Sequence, residues 1–151
     1  MAFENFLSQL KSKANELKTD VLKFKNKDFL NAAMAGSALI AMADGTITSE
    51  EKWKMIKFIE HHDALSVFNT KDVIEAFQTF VSQMEFDKDI GEAKAYQAIA
   101  KMKSNNEAAR LVIRMVVGIA SADGNFDANE KKVAAKIAVE LGLNPTEFEL
   151  Q

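Results

Sequence analysis

The chain has 151 residues, of which 48% are hydrophobic and 27% are charged, a composition typical of one soluble globular domain with a substantial core. It contains no cysteine and two histidines, the adjacent His61 and His62. Disulfides, thiolate metal sites and cysteine nucleophiles are therefore excluded, and a multi-histidine metal site is disfavoured.

The net charge of −3 is unevenly distributed along the chain. Residues 1–27 hold six lysines against three acidic residues, a balance of +3, so the remaining residues carry −6. An acidic body argues against nucleic-acid binding. The start of the chain has no signal-peptide pattern, and no apolar run approaches the roughly 20 residues that span a bilayer, so we expect a cytoplasmic protein.

Apolar residues recur at intervals of three and four and nowhere alternate, which predicts an all-helical (all-α) protein. The first predicted helix, about Phe3 to Phe24, is basic and amphipathic. Its apolar stripe consists of Phe3, Leu7, Leu10, Ala14, Leu17, Val21 and Phe24. The second, about Asp28 to Ala43, is apolar on nearly every face and is expected to be buried on all sides.

Five further helices complete the predicted fold. The third follows residues 43–48, the fourth spans about 69–84 with Thr70 as its N-cap, and the fifth follows an acidic segment at 85–92. The sixth, about 106–122, is the second strongly apolar helix, and the seventh follows residues 122–127. We therefore predict a compact seven-helix protein, with residues 1–25 as an amphipathic N-terminal helix and residues 26–151 as the helical domain.

One acidic loop occurs twice. The sequence "ADGTITSEEK" (43–52) returns as "ADGNFDANEK" (122–131) at a constant offset of 79 residues. In each copy the loop joins an apolar helix to an amphipathic one. The repeat predicts two pseudo-symmetric helical hairpins with both apolar helices at the centre.

Several residues of these loops have a structural explanation. Thr48 and Asp127 occupy equivalent positions, and each is followed three residues later by a glutamate, Glu51 or Glu130. This is the spacing of a capping box, in which the two side chains satisfy free amides at the start of a helix. A carboxylate at Glu50 also suits the positive end of the helix dipole.

Two carboxylates lack such an explanation. Asp44 and Asp123 are expected in the last turn of an apolar helix, where the dipole disfavours a negative charge by about 0.3–1 kcal/mol. With the Glu of its own loop, either aspartate would form a carboxylate cluster suited to a hard cation. The loop is not an EF-hand, because Gly45 or Gly124 follows the first Asp directly, so ligands shared between the two loops are favoured.

A third acidic segment, "EFDKDIGEA" (85–93), precedes the fifth predicted helix, with Asp87 or Asp89 as its N-cap. All these carboxylates lie on predicted surface loops and not in an apolar cleft that would raise a carboxyl pKa. The sequence also has no nucleophile elbow and no glycine-rich phosphate loop. We therefore expect no enzyme activity.

The repeated "ADG" loop resembles the tellurite-resistance TerB family, as do "KFKNKDF" (23–29) and "EFDKDIG" (85–91). The resemblance implies a compact seven-helix cytoplasmic protein from a bacterial operon for tellurite and other stresses. It also implies divalent metal binding, with Ca, Mg, Mn or Zn as the candidate ions, and action with other tellurite-resistance proteins, including membrane-bound and calcium-binding partners. By position, the implied metal ligands are Asp44, Glu50, Glu51, Asp87, Asp89, Asp123, Asp127 and Glu130.

Three alternatives remain open for the basic N-terminal helix. Its stripe docks on the core of its own domain, it contacts an anionic membrane surface from the cytoplasmic side, or it pairs with a partner helix. The residues available for membrane or partner contact are Phe3, Leu7, Leu10, Lys11, Lys13, Leu17 and Lys18.

The main functional hypothesis is a non-catalytic, metal-binding stress-resistance protein that acts inside a membrane-associated complex. The alternative is a purely structural helical interaction module whose acidic face binds a basic partner without metal. A metal titration separates these two hypotheses.

Overall fold

The computed structural model describes residues 2–12, 14–122, 124 and 126–150, without the side chains of residues 2, 11, 14, 15 and 17. The described residues are helical and form no strand, which confirms the predicted all-helical class. Their α-helices are α1 (Ala2–Ser12), α2 (Ala14–Lys23), α3 (Lys27–Ala41), α4 (Ser49–His61), α5 (Thr70–Phe86), α6 (Lys88–Ala100), α7 (Asn106–Ala120) and α8 (Ala128–Glu140). Short 3-10 turns lie at Asp63–Val67, Lys101–Ser104 and Pro145–Phe148.

Helix α3 is the centre of the molecule, as its apolar sequence predicts. It packs against α5, α6, α7 and α8, and every residue from 32 to 40 is buried. Its small residues permit close approach: a Cβ at Gly36 would lie 2.6 Å from Cγ2 of Val116 on α7. The one hydroxyl in this stretch, Ser37, is satisfied within the helix, since its Oγ donates to the carbonyl of Ala33 at 2.9 Å.

Helix α7 is the second apolar helix and packs directly on α3. Its residues 111–113 and 115–117 are all buried, so both predicted apolar helices lie side by side in the core. Each of them leads into one of the two acidic loops. A hydrogen bond between Asp44 and Asn129 shows that the loops after the two helices lie in the same region of the surface.

The predicted count of seven helices is not confirmed. The span predicted as one helix, Phe3 to Phe24, contains two described helices, α1 and α2, on either side of residue 13, which lies outside the described residues. The two helices have different packing partners: α1 contacts α7, whereas α2 packs against the Asp63–Val67 turn as well as α7. A stripe of uniform spacing does not reveal that its two halves dock in different places.

Two predicted boundaries also need correction. The N-cap of α5 is Asn69 and not Thr70, because the Asn69 side-chain oxygen accepts the N–H of Lys71 at 3.0 Å and Thr70 is already helical. Helix α3 ends at Ala41, two residues before the predicted end at Ala43. Both differences arise from local hydrogen bonds that periodicity alone does not specify.

The apolar stripe of α1 docks on the domain through aromatic side chains. The Phe3 ring stacks on Phe126 with 5.1 Å between centroids, and the Phe6 ring meets the edge of Phe148 at 6.0 Å. Lys131 Nζ lies 5.2 Å from the centre of the Phe3 ring, a cation–π contact. In this structure the first alternative for the stripe, docking on its own core, is therefore the observed arrangement.

A cavity of about 340 Å³ lies beneath α1, between Leu7, Leu10 and the start of the Asp63–Val67 turn. His62 lines it and is partly buried, with its Nδ1 accepting the N–H of Ala64 at 3.2 Å. Burial lowers the pKa of His62, and the nearby charge of Asp63 opposes this effect in part. The fold therefore favours the neutral imidazole, which alone can accept that hydrogen bond.

The α5–α6 crossing depends on a glycine. A Cβ at Gly91 would lie 2.4 Å from both N and Cα of Met84, so Gly91→Ala must move backbone atoms. We expect a loss of about 1–3 kcal/mol in the free energy of unfolding, measured by urea denaturation. Gly118→Ala is the matched control, because its Cβ would meet only His62 Nε2, at 3.7 Å. Since alanine has a higher helix propensity than glycine, this variant should be as stable as the wild type or more stable by up to about 1 kcal/mol. Equal stabilities for the two variants would contradict the packing.

The His62 environment predicts a pH dependence of stability. The pKa of His62 in the folded protein lies below its unfolded value of 6.5. The contribution of His62 to stability is therefore complete above pH 6.5 and is lost as the pH falls through the folded pKa. Between pH 7 and 5.5, the wild type should therefore lose more stability than His62→Asn, whose amide oxygen accepts from Ala64 without titrating. Identical slopes for the wild type and His62→Asn would refute the assignment.

Candidate functional site

The two acidic loops end in equivalent capping boxes, as the spacing predicts. In the first, Glu51 N–H donates to Thr48 Oγ1 at 3.1 Å and Thr48 N–H donates to Glu51 Oε1 at 3.0 Å. In the second, Glu130 N–H donates to Asp127 Oδ1 at 2.8 Å and Asp127 N–H donates to Glu130 Oε1 at 3.0 Å. Each of these four side chains therefore already holds the start of α4 or α8.

The glycines of the two loops adopt a left-handed conformation. Gly45 has φ of 94° and its N–H donates to the Met42 carbonyl at 2.8 Å. Gly124 has φ of 78° and its N–H donates to the Ser121 carbonyl at 2.9 Å. A Cβ at either glycine would have open space, so the backbone conformation and not crowding requires glycine.

The position of Asp44 differs from the prediction. Because α3 ends at Ala41, Asp44 lies in the turn beyond the helix and not in its last helical turn. The chain leaves the helix through tight i→i−3 bonds, in which Ala43 N–H donates to Ile40 at 3.0 Å. Its equivalent, Asp123, lies outside the described residues.

Asp44 joins the two loops. Its Oδ1 accepts a hydrogen bond from Asn129 Nδ2 at 3.1 Å, across 85 residues of sequence. Both side chains are exposed, and Asn129 lies in the first turn of α8. A direct contact between one carboxylate and one amide therefore joins the two loops.

Asn129 is a site residue that sequence reasoning missed. It is equivalent, at the offset of 79, to Glu50 of the first loop, so an amide stands where the first loop has a carboxylate. A search for paired carboxylates does not find it. The sequence feature that points to Asn129 is its position in the first turn of α8, because the capping box locates the start of that helix. The short amide side chain of Asn129 is polar and exposed. Its distance from the first loop depends on how α3 packs on α7, which the sequence pattern does not specify.

The lysines that close the two motifs have different contacts. Lys52 Nζ lies 3.1 Å from Glu85 Oε1, which connects the first loop to the third acidic segment. Its equivalent, Lys131, instead lies over the Phe3 ring of α1. One loop is thus linked to the α5–α6 corner and the other to the N-terminal helix.

The third acidic segment lies at the start of α6, and the ion pair between Lys52 and Glu85 connects it to the first loop. Asp87 is the N-cap of α6, with its Oδ1 accepting Ile90 N–H at 3.1 Å, which settles the choice left open between Asp87 and Asp89. Asp89 is exposed in the first turn of α6, and Glu50 is exposed in the first turn of α4. These carboxylates sit at helix starts, where the dipole stabilises them without a cation.

The described carboxylates do not form a complete set of metal ligands. Within the part of the chain that the structure describes, no three His, Asp or Glu side chains converge closely enough to hold an ion. Asp44 with the amide of Asn129 is the nearest approach to a shared site, and the capping glutamates each have one oxygen engaged. A hard cation needs several more oxygens than these two residues supply.

Comparison with known proteins agrees with the features of the loops. The model of the family described as "Tellurite resistance protein TerB" matches residues 30–151. A protein named "Tellurium resistance protein TerB", from Alcaligenes sp., is 38% identical over 113 residues, which are 75% of this chain and 93% of that relative. No solved structure matches this chain. With its repeated loops and this match over most of its length, the chain belongs to the tellurite-resistance TerB family.

Proposed function

We propose that this chain is a non-catalytic tellurite- and stress-resistance protein that binds a divalent cation where its two acidic loops meet and acts within a membrane-associated complex. Membership of the TerB family supports the tellurite-resistance role. The observation that supports the cation site is the 3.1 Å contact between Asp44 and Asn129, which joins the two loops.

The chemistry of the junction suits a hard cation. Carboxylate and amide oxygens are preferred ligands of Ca²⁺ and Mg²⁺. Asp44 supplies one carboxylate, Asn129 supplies an amide oxygen if its side chain turns, and Asp123 is the equivalent carboxylate of the second loop. Glu51 and Glu130 are weaker candidates, because a cation would compete with the capping bonds that begin α4 and α8.

Calorimetry with Ca²⁺, Mg²⁺, Mn²⁺ and Zn²⁺ tests the cation site. We expect heat from at least one ion and, at about 100 times the Kd, a stabilisation of about 2.7 kcal/mol. Asp44→Asn and Asp123→Asn should each weaken binding, whereas Glu107→Gln, an exposed carboxylate in the first turn of α7, should not. No heat and no thermal shift with any of the four ions, in wild type and variants alike, would refute the metal role.

The proposed membrane association rests on the outer face of α2. Among the described residues, none of the helices has both the length and the apolar character needed to cross a bilayer. The stripe of α1 is engaged with the core, but Lys18, Leu22 and Lys23 are exposed on α2. Two lysines beside an exposed leucine suit the surface of an anionic leaflet. Of the other predicted contact residues, Lys13 lies outside the described residues, and the side chains of Lys11 and Leu17 are not described.

Vesicle flotation tests this face. The full chain should float with vesicles of phosphatidylcholine and phosphatidylserine but not with phosphatidylcholine alone. Each basic residue near such a surface contributes about 1 kcal/mol, so Lys18→Glu/Lys23→Glu should weaken binding by at least about tenfold. Lys101→Glu/Lys136→Glu, a reversal of two exposed lysines on other helices, is the control. Equal flotation of both double variants would remove α2 as the contact.

The second candidate is an interaction module whose acidic face binds a basic partner without metal. The capping boxes favour it, because they account for Thr48, Glu51, Asp127 and Glu130 without any ion. The same calorimetric titration separates this candidate from the cation site.

A further inference from the structure

The N-terminal helix α1 reaches the second acidic loop through one aromatic ring. Phe3, in the first turn of α1, stacks on Phe126 with 5.1 Å between the ring centroids and 23° between the ring planes. Phe126 directly precedes Asp127, the N-cap of α8, and Lys131 Nζ lies 5.2 Å from the centre of the Phe3 ring. The Phe3 side chain therefore contacts both the end of the loop and the start of the helix that follows.

The equivalent residue of the first loop is buried in the core. At the offset of 79 residues, Ile47 is the counterpart of Phe126. Ile47 is 9% exposed and belongs to the core cluster, whereas Phe126 is only partly buried against that core even with Phe3 stacked on it. Removal of the Phe3 ring would expose more of Phe126 to water, which the hydrophobic effect opposes. The second loop therefore depends on α1 for part of the burial of its apolar residue.

The rest of α1 packs less closely on the domain. A cavity of about 310 Å³ lies beside Gln9 and Leu10, and the cavity of about 340 Å³ lies beneath Leu7 and Leu10. Side chains that line such spaces lose part of their dispersion contacts. The aromatic contacts of Phe3 and Phe6 at the start of the helix therefore contribute much of the docking of α1.

The second loop carries one half of the junction with the first loop. Asn129, in the first turn of α8, donates from its Nδ2 to Asp44 Oδ1 at 3.1 Å. Asp123 stands three residues before Phe126 in the sequence. A contact that fixes Phe126 restricts the backbone of the segment between Asp123 and Asn129. Ligands held in place in this way bind an ion without an added cost of ordering.

We infer that Phe3 is a positioning residue for the second acidic loop: its ring holds Phe126 and thereby keeps the loop opposite Asp44. The first loop is instead connected to the α5–α6 corner, through the ion pair of Lys52 with Glu85. Loss of the Phe3 ring should therefore loosen one loop and leave the other unchanged. The effect on the loop requires no ion, whereas its consequence for cation affinity rests on the cation site proposed above.

Amide hydrogen exchange of the full chain, followed by NMR, tests this role with an internal control. The Gly124 N–H donates to the Ser121 carbonyl at 2.9 Å, and the Gly45 N–H makes the equivalent bond to Met42 at 2.8 Å. Phe3→Ala should speed exchange at Gly124 at least about fivefold, as the loss of an aromatic pair and its burial predicts. Exchange at Gly45 should remain at the wild-type rate.

Two further variants separate positioning from a general loss of stability. Phe3→Tyr keeps a ring that can stack on Phe126, so exchange at Gly124 should return to the wild-type rate. Phe80→Ala removes a ring that is also partly buried, but from α5. This control should not speed exchange at Gly124 relative to Gly45.

Titration of the same variants with Mn²⁺ tests the consequence for the proposed cation site. Phe3→Ala should bind Mn²⁺ at least about threefold more weakly, because apparent affinity falls with the fraction of molecules whose loop is in place. Phe3→Tyr should bind as the wild type does. If the wild type binds no ion, the cation site is refuted, and the exchange rates alone decide the role of Phe3.

Three results would overturn the inference. The first is the absence of nuclear Overhauser effects between the rings of Phe3 and Phe126 in the wild type. The second is equal exchange at Gly124 in the wild type and Phe3→Ala. The third is equal acceleration at Gly45 and Gly124, since the ring would then stabilise the whole domain and not one loop. Equal Mn²⁺ affinity of the wild type and Phe3→Ala would overturn the link to the cation site.

Discussion

The close packing of α3 on α7 is the contact on which the rest of the molecule depends. Both helices are apolar on almost every face, and Gly36 lets Val116 approach so closely that a Cβ would lie only 2.6 Å from its methyl group. An acidic loop follows each helix, and the hydrogen bond between Asp44 and Asn129 shows that the two loops lie in the same region. The contact between Asp44 and Asn129 is a consequence of this packing. The position of one loop relative to the other therefore depends on the packing of the core as well as on the loop sequences.

The two loops share the same local hydrogen-bond pattern but differ in their contacts with the rest of the molecule. Both retain a left-handed glycine and a capping box, which are local devices that hold a helix start in place. The lysine at the end of each motif has different contacts, since Lys52 pairs with Glu85 while Lys131 lies over Phe3. The two similar loops thus contact different parts of the molecule, the α5–α6 corner and the N-terminal helix. The proposed cation site uses Asp44 and its equivalent Asp123, together with Asn129, which has no amide counterpart in the first loop.

Local features of the sequence predicted most of the fold, and long-range features did not. The capping boxes and the burial of α3 follow from spacing and composition, and the structure confirms both. Helix α3 ends two residues before its predicted end, so Asp44 lies beyond the helix and not in its last turn. The role of Asn129 and the separate docking of α1 and α2 depend on contacts between distant segments, which a pattern of apolar spacing does not encode. The exposure of Phe86 also depends on contacts between distant segments, because its place in the apolar spacing of α5 is compatible with a core position.

Paramagnetic broadening of backbone amide signals by Mn²⁺ tests the proposed divalent cation at the junction of the two loops most directly, because the effect falls steeply with distance from the ion. If the ion binds there, low Mn²⁺ should broaden the amides of Gly45 and Gly124 together, with those at the start of α8, while Gly91 stays sharp. An excess of Mg²⁺ or Ca²⁺ should restore the signals. Broadening confined to the segment around Asp87 and Asp89, or none at either loop, would contradict it.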